Sequence, residues 1–339
     1  MTDKNSKKLF LLDAYALIYR SYFAFIRNPR FNSKGVNTSA MYGFTNTLIQ
    51  LLEAENPSYI GVVFDVSAPT FRHKMFPEYK ANREEMPEDL RKSIPYIRNI
   101  IEAFNIPIIE KEGFEADDVI GTLARKAEKE GFTTYMMTPD KDYAQLVSDH
   151  VLMFKPAKSG GVAEVWGKKE VNENFGIENP EQVIDILGLM GDSADNIPGC
   201  PGIGPKTAEK LISEFGSIDG IYRNIDQLKG KQKENLVNYE EQVRLSRKLA
   251  VIIQDVPIDF EKEKLTRDEI NKEVLKAIFE DLEFKTIAGR LNLDEAVKPE
   301  TAMQGTLFGD TETAQPTVKK RNTIETIPHQ YYLVENEMQ

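Results

Sequence analysis

Carboxylates follow short apolar runs at several points in this sequence, and they are the side chains best able to do chemistry. Glu115, Asp117 and Asp118 lie within four residues, and Asp13 and Asp65 each end an apolar run. Acidic residues in the first turn of a helix also complement its dipole, which is the structural alternative for Asp117 and Asp118. Gathered carboxylates repel one another, so a cluster of them is costly unless cations occupy it.

Two further acid pairs extend this pattern. Asp140 and Asp142 follow an apolar run, and Asp192 and Asp195 precede a glycine-rich turn. The single cysteine and the three histidines leave little material for a thiolate or imidazole site, so a metal must be held by oxygen. Oxygen ligands select hard ions such as Mg²⁺ or Mn²⁺, and two such ions can stabilise both the attacking and the leaving oxygen in phosphodiester hydrolysis.

Strands that alternate with helices must position these acids. Apolar runs at 8–12, 59–64, 106–109 and 132–137 predict buried strands, and 14–25 and 38–53 predict helices. The apolar spacing after Glu115 predicts a third helix, and a strand at 151–154 leads into a hairpin around 159–161. The alternation predicts an α/β fold with a mostly parallel central sheet, whose strands end at one edge. We expect the acids to meet there.

The stretch between Asp65 and Glu115 is basic and aromatic. On a helix, Lys80 and Arg83 share a face, and Tyr79 beside them can stack on a nucleic-acid base. A solvated amphipathic segment is an equal alternative, because acidic residues are interleaved. Residues 71–98 contain few apolar anchors, so we also predict that they are mobile in the absence of DNA.

A glycine-rich turn at 199–207 opens a helix at Pro205. Its glycines allow close backbone approach, and the free N–H groups at the start of the helix favour an anion such as a phosphate. A lone turn of this kind is weak evidence. Its position directly after two more acids of the metal-binding type makes phosphate binding the favoured interpretation.

The ordered series of motifs resembles the 5′ nuclease, or flap endonuclease, family, and within it the 5′-3′ exonuclease domains that stand at the N-terminus of bacterial DNA polymerase I. The resemblance covers residues 7–295 and rests on Asp13, Asp65, Glu115-Ala116-Asp117-Asp118, Asp140-Lys141-Asp142, Gly191-Asp192-Ser193-Ala194-Asp195 and Gly202-Ile203-Gly204-Pro205-Lys206-Thr207-Ala208. It implies a resolvase-like (PIN-like) core with a helical arch and a C-terminal helix-hairpin-helix region.

The resemblance also implies a role for each matching residue. The first metal cluster is Asp13, Asp65, Glu115, Asp117 and Asp118, and the second is Asp140, Asp142, Asp192 and Asp195. Catalysis would depend on Lys80, Arg83, Asp118 and Asp140. DNA contacts would come from Arg20, Arg72, Tyr79, Lys80 and Arg83 around the arch, and from Gly202, Gly204, Lys206 and Thr207 in the hairpin, where a K⁺ ion sits in the family.

The implied activity is hydrolysis one nucleotide into the duplex beyond a 5′ flap, leaving a 5′-phosphate, in primer removal and DNA repair. The implied partners are flapped, nicked or branched DNA and the 5′ ends of RNA primers. Two other classes stay open: a metal-dependent RNA endonuclease on a similar core, and a module that only tethers DNA. The net charge of −11 does not exclude DNA binding if the acids are held in one metal site.

We predict a nuclease core at 1–175 with an arch at about 70–100, a helical DNA-binding region at 176–295 with the hairpin at 196–212, a flexible linker at 296–325, and the start of a truncated proofreading-like domain at 326–339. In the linker, Gln304, Leu307 and Phe308 have the spacing of a peptide that docks on the sliding clamp. The sequence lacks an apolar run long enough for a signal or a membrane span, so we expect a cytoplasmic protein. It also shows no interface signature, so we expect a monomer.

Overall fold

A six-stranded sheet forms the centre of the fold. The computed structural model describes residues 7–157 and 161–293 of the 339-residue chain. The predicted linker, the predicted start of a further domain and the clamp-type peptide lie outside the described residues. The strands are β1 (Lys7–Asp13), β2 (Tyr59–Val63), β3 (Ile108–Ile109), β4 (Phe132–Met137), β5 (Val151–Lys155) and β6 (Glu164–Trp166).

The strands lie in the order β3-β2-β1-β4-β5-β6, and only the β5–β6 pair is antiparallel. Asp13 is opposite Val63, and Leu12 is opposite Met137. The carboxyl ends of β1, β2 and β4 are therefore level with one another. The prediction of an α/β fold with a mostly parallel sheet is confirmed, although β3 is shorter than its predicted run.

Helices cover both faces of this sheet. They are α1 (Ala14–Ala24), α2 (Ser39–Glu55), α3 (Phe71–Met75), α4 (Glu88–Ala103), α5 (Ala116–Lys129), α6 (Lys168–Phe175), α7 (Gln182–Met190), α8 (Pro205–Phe215), α9 (Ile218–Arg223), α10 (Gly230–Asn238), α11 (Glu240–Ala250), α12 (Lys272–Leu282) and α13 (Lys285–Arg290). None of the helices in the described ranges combines the length and the apolar character that crossing a membrane requires.

Two apolar cores separate along the central strand. In β1, Leu9 and Leu11 pack with α5, α7 and α11, while Phe10 and Leu12 pack with α1, α2 and α4. Successive side chains of a strand point to opposite faces, so a fully buried strand needs apolar residues at both. Asp13 is the first charged residue after this run, and it ends the strand at the edge where ligands gather.

The arch prediction is wrong in two respects. Residues 76–87 form turns between α3 and α4 and contain no helix, and Lys80 has a φ of 58°, which a helical residue does not adopt. Residues 71–98 are also better anchored than predicted, because Leu90 and Ile97 of α4 are fully buried, while their mobility in the absence of DNA stays a prediction. Lys80 and Arg83 therefore approach each other through turn geometry and not through helical spacing.

Candidate active site

Asp13 lies at the centre of the acidic edge. One of its carboxylate oxygens accepts a hydrogen bond from the Ala16 amide at 3.1 Å, as the N-cap of α1, and the other accepts bonds from the hydroxyls of Tyr143 (3.0 Å) and Thr138 (3.2 Å). Burial raises the pKa of Asp13 to about 7, with repulsion from Asp65 adding to it. A carboxylate held by three donors and still so costly to ionise is suited to a bound cation.

The start of α5 adds the next acids to this edge. Asp65 accepts a hydrogen bond from the Ala116 amide at 2.9 Å, which fixes the end of β2 to the start of α5. Burial raises the pKa of Asp65, and it raises the pKa of Asp117 further, together with repulsion from Asp118 and Glu115. Asp65 and Glu115 are thus held close together by this hydrogen bond although their charges repel each other.

The acid loop, residues 191–199, supplies Asp192 and Asp195. The loop is closed by mutual backbone hydrogen bonds between Asp192 and Ile197. Gly191 and Gly199 have φ of 72° and 60°, and a Cβ on either would collide with the backbone of the other side of the loop. Only glycine permits this closure, which holds both aspartates near Asp140.

Asp140 and Asp142 follow β4 and face the acid loop. Asp140 accepts a hydrogen bond from the Asp142 amide at 3.0 Å and starts a 3₁₀ turn, Lys141–Leu146. Asp140 is open to solvent on one side, yet the surrounding walls restrict its hydration and raise its pKa, and Asp195 and Asp192 raise it further. The pKa of Asp142 is raised well above its usual value by burial and by Asp140.

Cations of the chain neutralise part of this charge. We call residues 78–83 the strap, since it lies on the acid loop through hydrogen bonds from Asn82 to the Ser193 carbonyl (2.6 Å) and from the Lys80 amide to the Asp195 carbonyl (2.9 Å). The Lys80 ammonium contacts Glu115 at 2.8 Å and Asp195 at 3.6 Å. Burial opposes ionisation of Asp195, but Lys80 and Arg83 outweigh it and lower the pKa of Asp195.

Tyr79 is a correction to the sequence analysis. Its side chain is only 3% exposed, so it has no free ring face on which a base could stack. Its hydroxyl lies 3.0 Å from Glu115 and 2.8 Å from Asp195, and it joins one acid of α5 to one acid of the loop. Burial and both carboxylates raise the pKa of Tyr79, so it remains a neutral donor.

The structure buries Arg72 and Asp118, whereas the DNA contact predicted for Arg20 stays a prediction. Arg72 is 1% exposed and pairs with Asp118, which is fully buried, so neither side chain reaches the solvent face of the site. Arg20 is half-buried and donates to the carbonyls of Pro156 and Ala157. In this structure, Arg72 cannot contact DNA, and Asp118 is turned away from the other acids.

A cavity of about 690 Å³ collects the acids that remain. Its acidic wall is made of Asp13, Asp65, Glu115, Asp117, Asp140, Asp142 and Asp195, with Lys80 and Arg83 beside them. Asp192 and Asp118 are outside this lining. The other wall is aromatic and comes from α1, where Tyr15, Tyr19 and Phe23 share one face at a spacing of four residues. Sequence reasoning missed this wall, although the repeat of aromatics after Asp13 was its signal.

Metal coordination is incomplete in this arrangement of the side chains. Within residues 7–157 and 161–293, no group of three or more acidic, histidine or cysteine side chains converges closely enough to hold a metal ion. The acids instead accept hydrogen bonds from backbone amides, hydroxyls, Lys80 and Arg83. Lys80 and Arg83 thus neutralise part of the negative charge of these carboxylates, which bound metal ions would also neutralise.

The glycine-rich turn follows the acid loop in the chain and opens α8. Gly202 has a φ of 78°, Gly204 caps α8, and the amides of Thr207 and Ala208 bond to the Gly204 carbonyl. Lys206 is exposed in the first turn of α8. The turn is fixed from beneath, because Asn235 donates to the Pro201 carbonyl at 2.7 Å.

Comparison with known proteins gives matches over most of the chain. Residues 8–176 match the family model of the 5′-3′ exonuclease N-terminal resolvase-like domain, and residues 178–273 match that of the 5′-3′ exonuclease C-terminal SAM fold. DNA polymerase I of Bacillus subtilis is 43% identical over 297 residues, which are 87% of this chain and 33% of that protein. The 5′-3′ exonuclease of Aquifex aeolicus is 40% identical over 283 residues, 83% of this chain and 94% of that protein.

Solved structures share the fold. T5 5′-exonuclease with bound zinc matches with a TM-score of 0.58 at 24% identity, over 85% of this chain and 100% of that one. The catalytic core of Rad2 in complex with a DNA substrate matches with a TM-score of 0.58 at 17% identity, over 85% of this chain and 91% of that one. The chain spans about a third of the length of the DNA polymerase I relatives.

Proposed function

The chain belongs to the 5′-3′ exonuclease family, and on that premise we propose that it is a structure-specific 5′-3′ exonuclease and 5′ flap endonuclease that hydrolyses DNA phosphodiesters with two divalent cations. The observation that carries the proposal is the cavity in which seven of the nine predicted metal-binding carboxylates meet Lys80 and Arg83. A phosphodiester needs both kinds of group: acids to hold metal ions, and cations to hold phosphate.

Divalent cations fit the chemistry of this cavity. The donors are carboxylate oxygens throughout, which favour hard ions, and the Lys80 ammonium between Glu115 and Asp195 stands in for the charge of such an ion. We propose Mg²⁺ or Mn²⁺, one held by Asp13, Asp65, Glu115 and Asp117 and the other by Asp140, Asp142, Asp192 and Asp195. When bound, the ions would lower the pKa of an attacking water and stabilise the charge on the departing oxygen.

Lys80 and Arg83 would hold the scissile phosphate. Both now pair with carboxylates, and both belong to the strap at the mouth of the cavity. If metal ions bind Glu115 and Asp195, Lys80 and Arg83 can turn to phosphate oxygens, because the metal ions then neutralise the two carboxylates. Arginine offers a planar pair of donors to a phosphate, and lysine offers a compact charge, so the two hold it from two directions.

The aromatic wall would hold the nucleotide next to that phosphate. Tyr19 and Phe23 lie side by side with ring centroids 6.2 Å apart, and Phe23 is 55% exposed. Exposed aromatic rings bind bases by stacking without selecting a sequence. The wall and the acids thus form two sides of one cavity that fits a single strand end.

The glycine-rich turn would grip the duplex next to the cleavage site. Lys206 and the backbone of the turn can contact DNA phosphates, which fix position and carry no sequence information. A K⁺ ion bound by the carbonyls of this turn is part of the proposal. Residues 196–212 would then act as the duplex clamp of the helical region at 176–295.

Several finer statements also remain proposals. We propose that the substrates include flaps, nicks and RNA primer 5′ ends, that the enzyme works within a DNA polymerase I, and that it is a cytoplasmic monomer. Docking on a sliding clamp through Gln304, Leu307 and Phe308 is proposed from the sequence alone.

Two alternatives make different predictions. A metal-dependent RNA endonuclease would cleave single-stranded RNA at internal positions, and a tethering module would bind DNA without cleaving it. The acids disfavour a tether, because a protein that only binds phosphates gains nothing from carboxylates that repel them.

A cleavage assay separates the three functions. End-labelled 5′-flap, nicked and blunt duplexes and a single-stranded RNA are incubated with Mg²⁺ and then with excess EDTA. We expect cleavage at the flap junction, its loss in EDTA, and its loss in Asp117→Asn and Asp140→Asn. The matched control is Asp255→Asn, an exposed aspartate outside the cavity, which should retain full activity. Normal flap cleavage by Asp117→Asn and Asp140→Asn would overturn the proposal.

A further inference from the structure

Arg72 and Asp118 form a buried ion pair whose hydrogen-bonding capacity is full. The guanidinium contacts Asp118 through both Nη atoms, at 2.7 and 2.8 Å. Its other donors reach the carbonyls of Leu249 (3.0 Å) and Val251 (2.8 Å) and the Glu115 carboxylate (3.4 Å). All five N–H groups of the arginine therefore have acceptors within the protein.

Asp118 is saturated as well. Besides the two bonds from Arg72, one oxygen accepts the Ile253 amide at 3.0 Å and the other accepts the Glu115 amide at 3.2 Å. A carboxylate has about four lone-pair sites, and all of them are engaged. With no exposed surface and no free lone pair, Asp118 could bind a metal only by breaking this pair.

Burial of such a pair is expensive, and apolar residues of the same size often stabilise a protein as well or better. The position of the pair suggests what it does instead. Leu249, Val251 and Ile253 belong to the exit segment, residues 249–253, which comprises the last two residues of α11 and the three residues after them. The pair ties this segment to α3 through Arg72 and to the start of α5 through Asp118.

The same exit segment and α11 also hold the other acid-bearing segments. Gln145, in the turn that carries Asp142, donates to the Ala250 carbonyl at 3.0 Å and accepts the Ile252 amide at 2.9 Å. Within α11, Gln242 donates to the Gly199 carbonyl at 2.7 Å, and Ser246 accepts the Gly199 amide at 2.9 Å. Three groups of acids from distant parts of the sequence are thus anchored to one helix and its exit.

We propose that Arg72 and Asp118 are positioning residues that set the distance between the acids of α5 and those of the acid loop, by locking the start of α5 onto the exit of α11. The inference deepens the proposed function and rests on it. In this arrangement, Asp118 touches neither metal nor DNA. Its neighbour Asp117, one residue earlier in the same turn, lines the cavity and is the residue of the two that would hold a metal ion in the proposed function.

Matched variants test the pair. Asp118→Asn leaves a buried guanidinium without its counter-charge, whereas the double variant Arg72→Gln with Asp118→Asn removes both charges and leaves two amides that can bond to each other. Arg72→Lys keeps a cation but cannot bond to both carboxylate oxygens in one plane. The control is Asp117→Asn, which removes a carboxylate that lines the cavity and lies 4.0 Å from Arg72, but keeps the hydrogen bonds between Arg72 and Asp118.

Two measurements are made on each variant: the thermal unfolding midpoint in EDTA, and flap-cleavage rates against the concentration of Mg²⁺ at a temperature where the variant is folded. For Asp118→Asn and Arg72→Lys, we expect the Mg²⁺ concentration at half-maximal rate to rise roughly 10- to 100-fold, as for other groups that orient metal ligands, with the KM for DNA little changed. The double variant should recover both the unfolding midpoint and most of the rate. Asp117→Asn should keep or raise its unfolding midpoint and lose cleavage, because it removes a buried charge without breaking the hydrogen bonds between Arg72 and Asp118.

Two outcomes would overturn the inference. One is a double variant that folds like the wild type but is as inactive as Asp118→Asn, since Asp118 would then act directly on metal or substrate. The other is an unchanged Mg²⁺ dependence in folded Asp118→Asn or Arg72→Lys, since the pair would then serve stability alone. Absence of cleavage by the wild type would refute the proposed function instead, and the unfolding midpoints would still test the lock.

Discussion

Replacing Asp13 by asparagine should stabilise the metal-free protein while abolishing its hydrolytic activity. Asparagine can keep three hydrogen bonds at this position, because its carbonyl accepts from the Ala16 amide and the two N–H groups of its amide can donate to the hydroxyl oxygens of Tyr143 and Thr138. It removes the negative charge that burial and Asp65 make unfavourable. The substitution thus isolates the cost of ionising one carboxylate in the absence of cations.

The pKa of Asp13 sets the size of the effect. It is about 7 in the folded protein against 3.8 for the unperturbed group, so the folded state binds the proton more tightly. The stability that the protonated form contributes is present below pH 4 and is lost as the pH rises through 7. At 1.36 kcal/mol per pKa unit, asparagine should therefore stabilise the metal-free protein by about 1.5 kcal/mol at pH 5 and by about 4 kcal/mol at most at pH 8.

Urea unfolding in EDTA at pH 5 and pH 8 measures this difference, with Asp255→Asn as the exposed control. Added Mg²⁺ should then raise the stability of the wild type more than that of Asp13→Asn, because a ligand stabilises only the state that binds it. Equal unfolding midpoints of wild type and variant at pH 8 in EDTA would refute the reasoning. So would a stabilisation that does not grow between pH 5 and pH 8.

Three further predictions follow from single contacts. Tyr79→Phe removes a hydroxyl that is hydrogen-bonded to two carboxylates. We expect a roughly tenfold lower single-turnover rate at saturating Mg²⁺ with unchanged DNA affinity. A loss of DNA affinity with an unchanged rate would instead show that Tyr79 contacts DNA. Gly199→Ala should lower the free energy of unfolding by more than about 2 kcal/mol, whereas Gly289→Ala, with no neighbour within 4 Å, should be neutral or stabilising; equal urea midpoints would contradict this. Lys206→Ala should reduce the slope of log affinity for duplex DNA against log salt concentration by about 1, which corresponds to one phosphate contact. An unchanged slope would exclude that contact.

The sequence by itself determined the sheet and the edge where the acids meet. Apolar runs that end in Asp13 and Asp65 predict buried parallel strands, because only an apolar strand can be covered on both faces. The helix after Glu115 and the helix at Pro205 begin where their local signals predict. These features depend on residues that are close together in the chain, so periodicity and capping are sufficient to read them.

Only the tertiary structure decided which acids face the cavity. Asp117 and Asp118 are adjacent in one helical turn, and a step of one residue rotates a side chain by about 100° around the helix, so one faces the acids and the other faces the core. Which of the two is buried depends on Arg72, 46 residues earlier in the chain, and on the exit of α11. The strap was misread as helix for the same reason, since its conformation is held by hydrogen bonds to the acid loop more than 100 residues away. Local sequence patterns carry no information about such distant partners, and the packing of the whole chain supplies them.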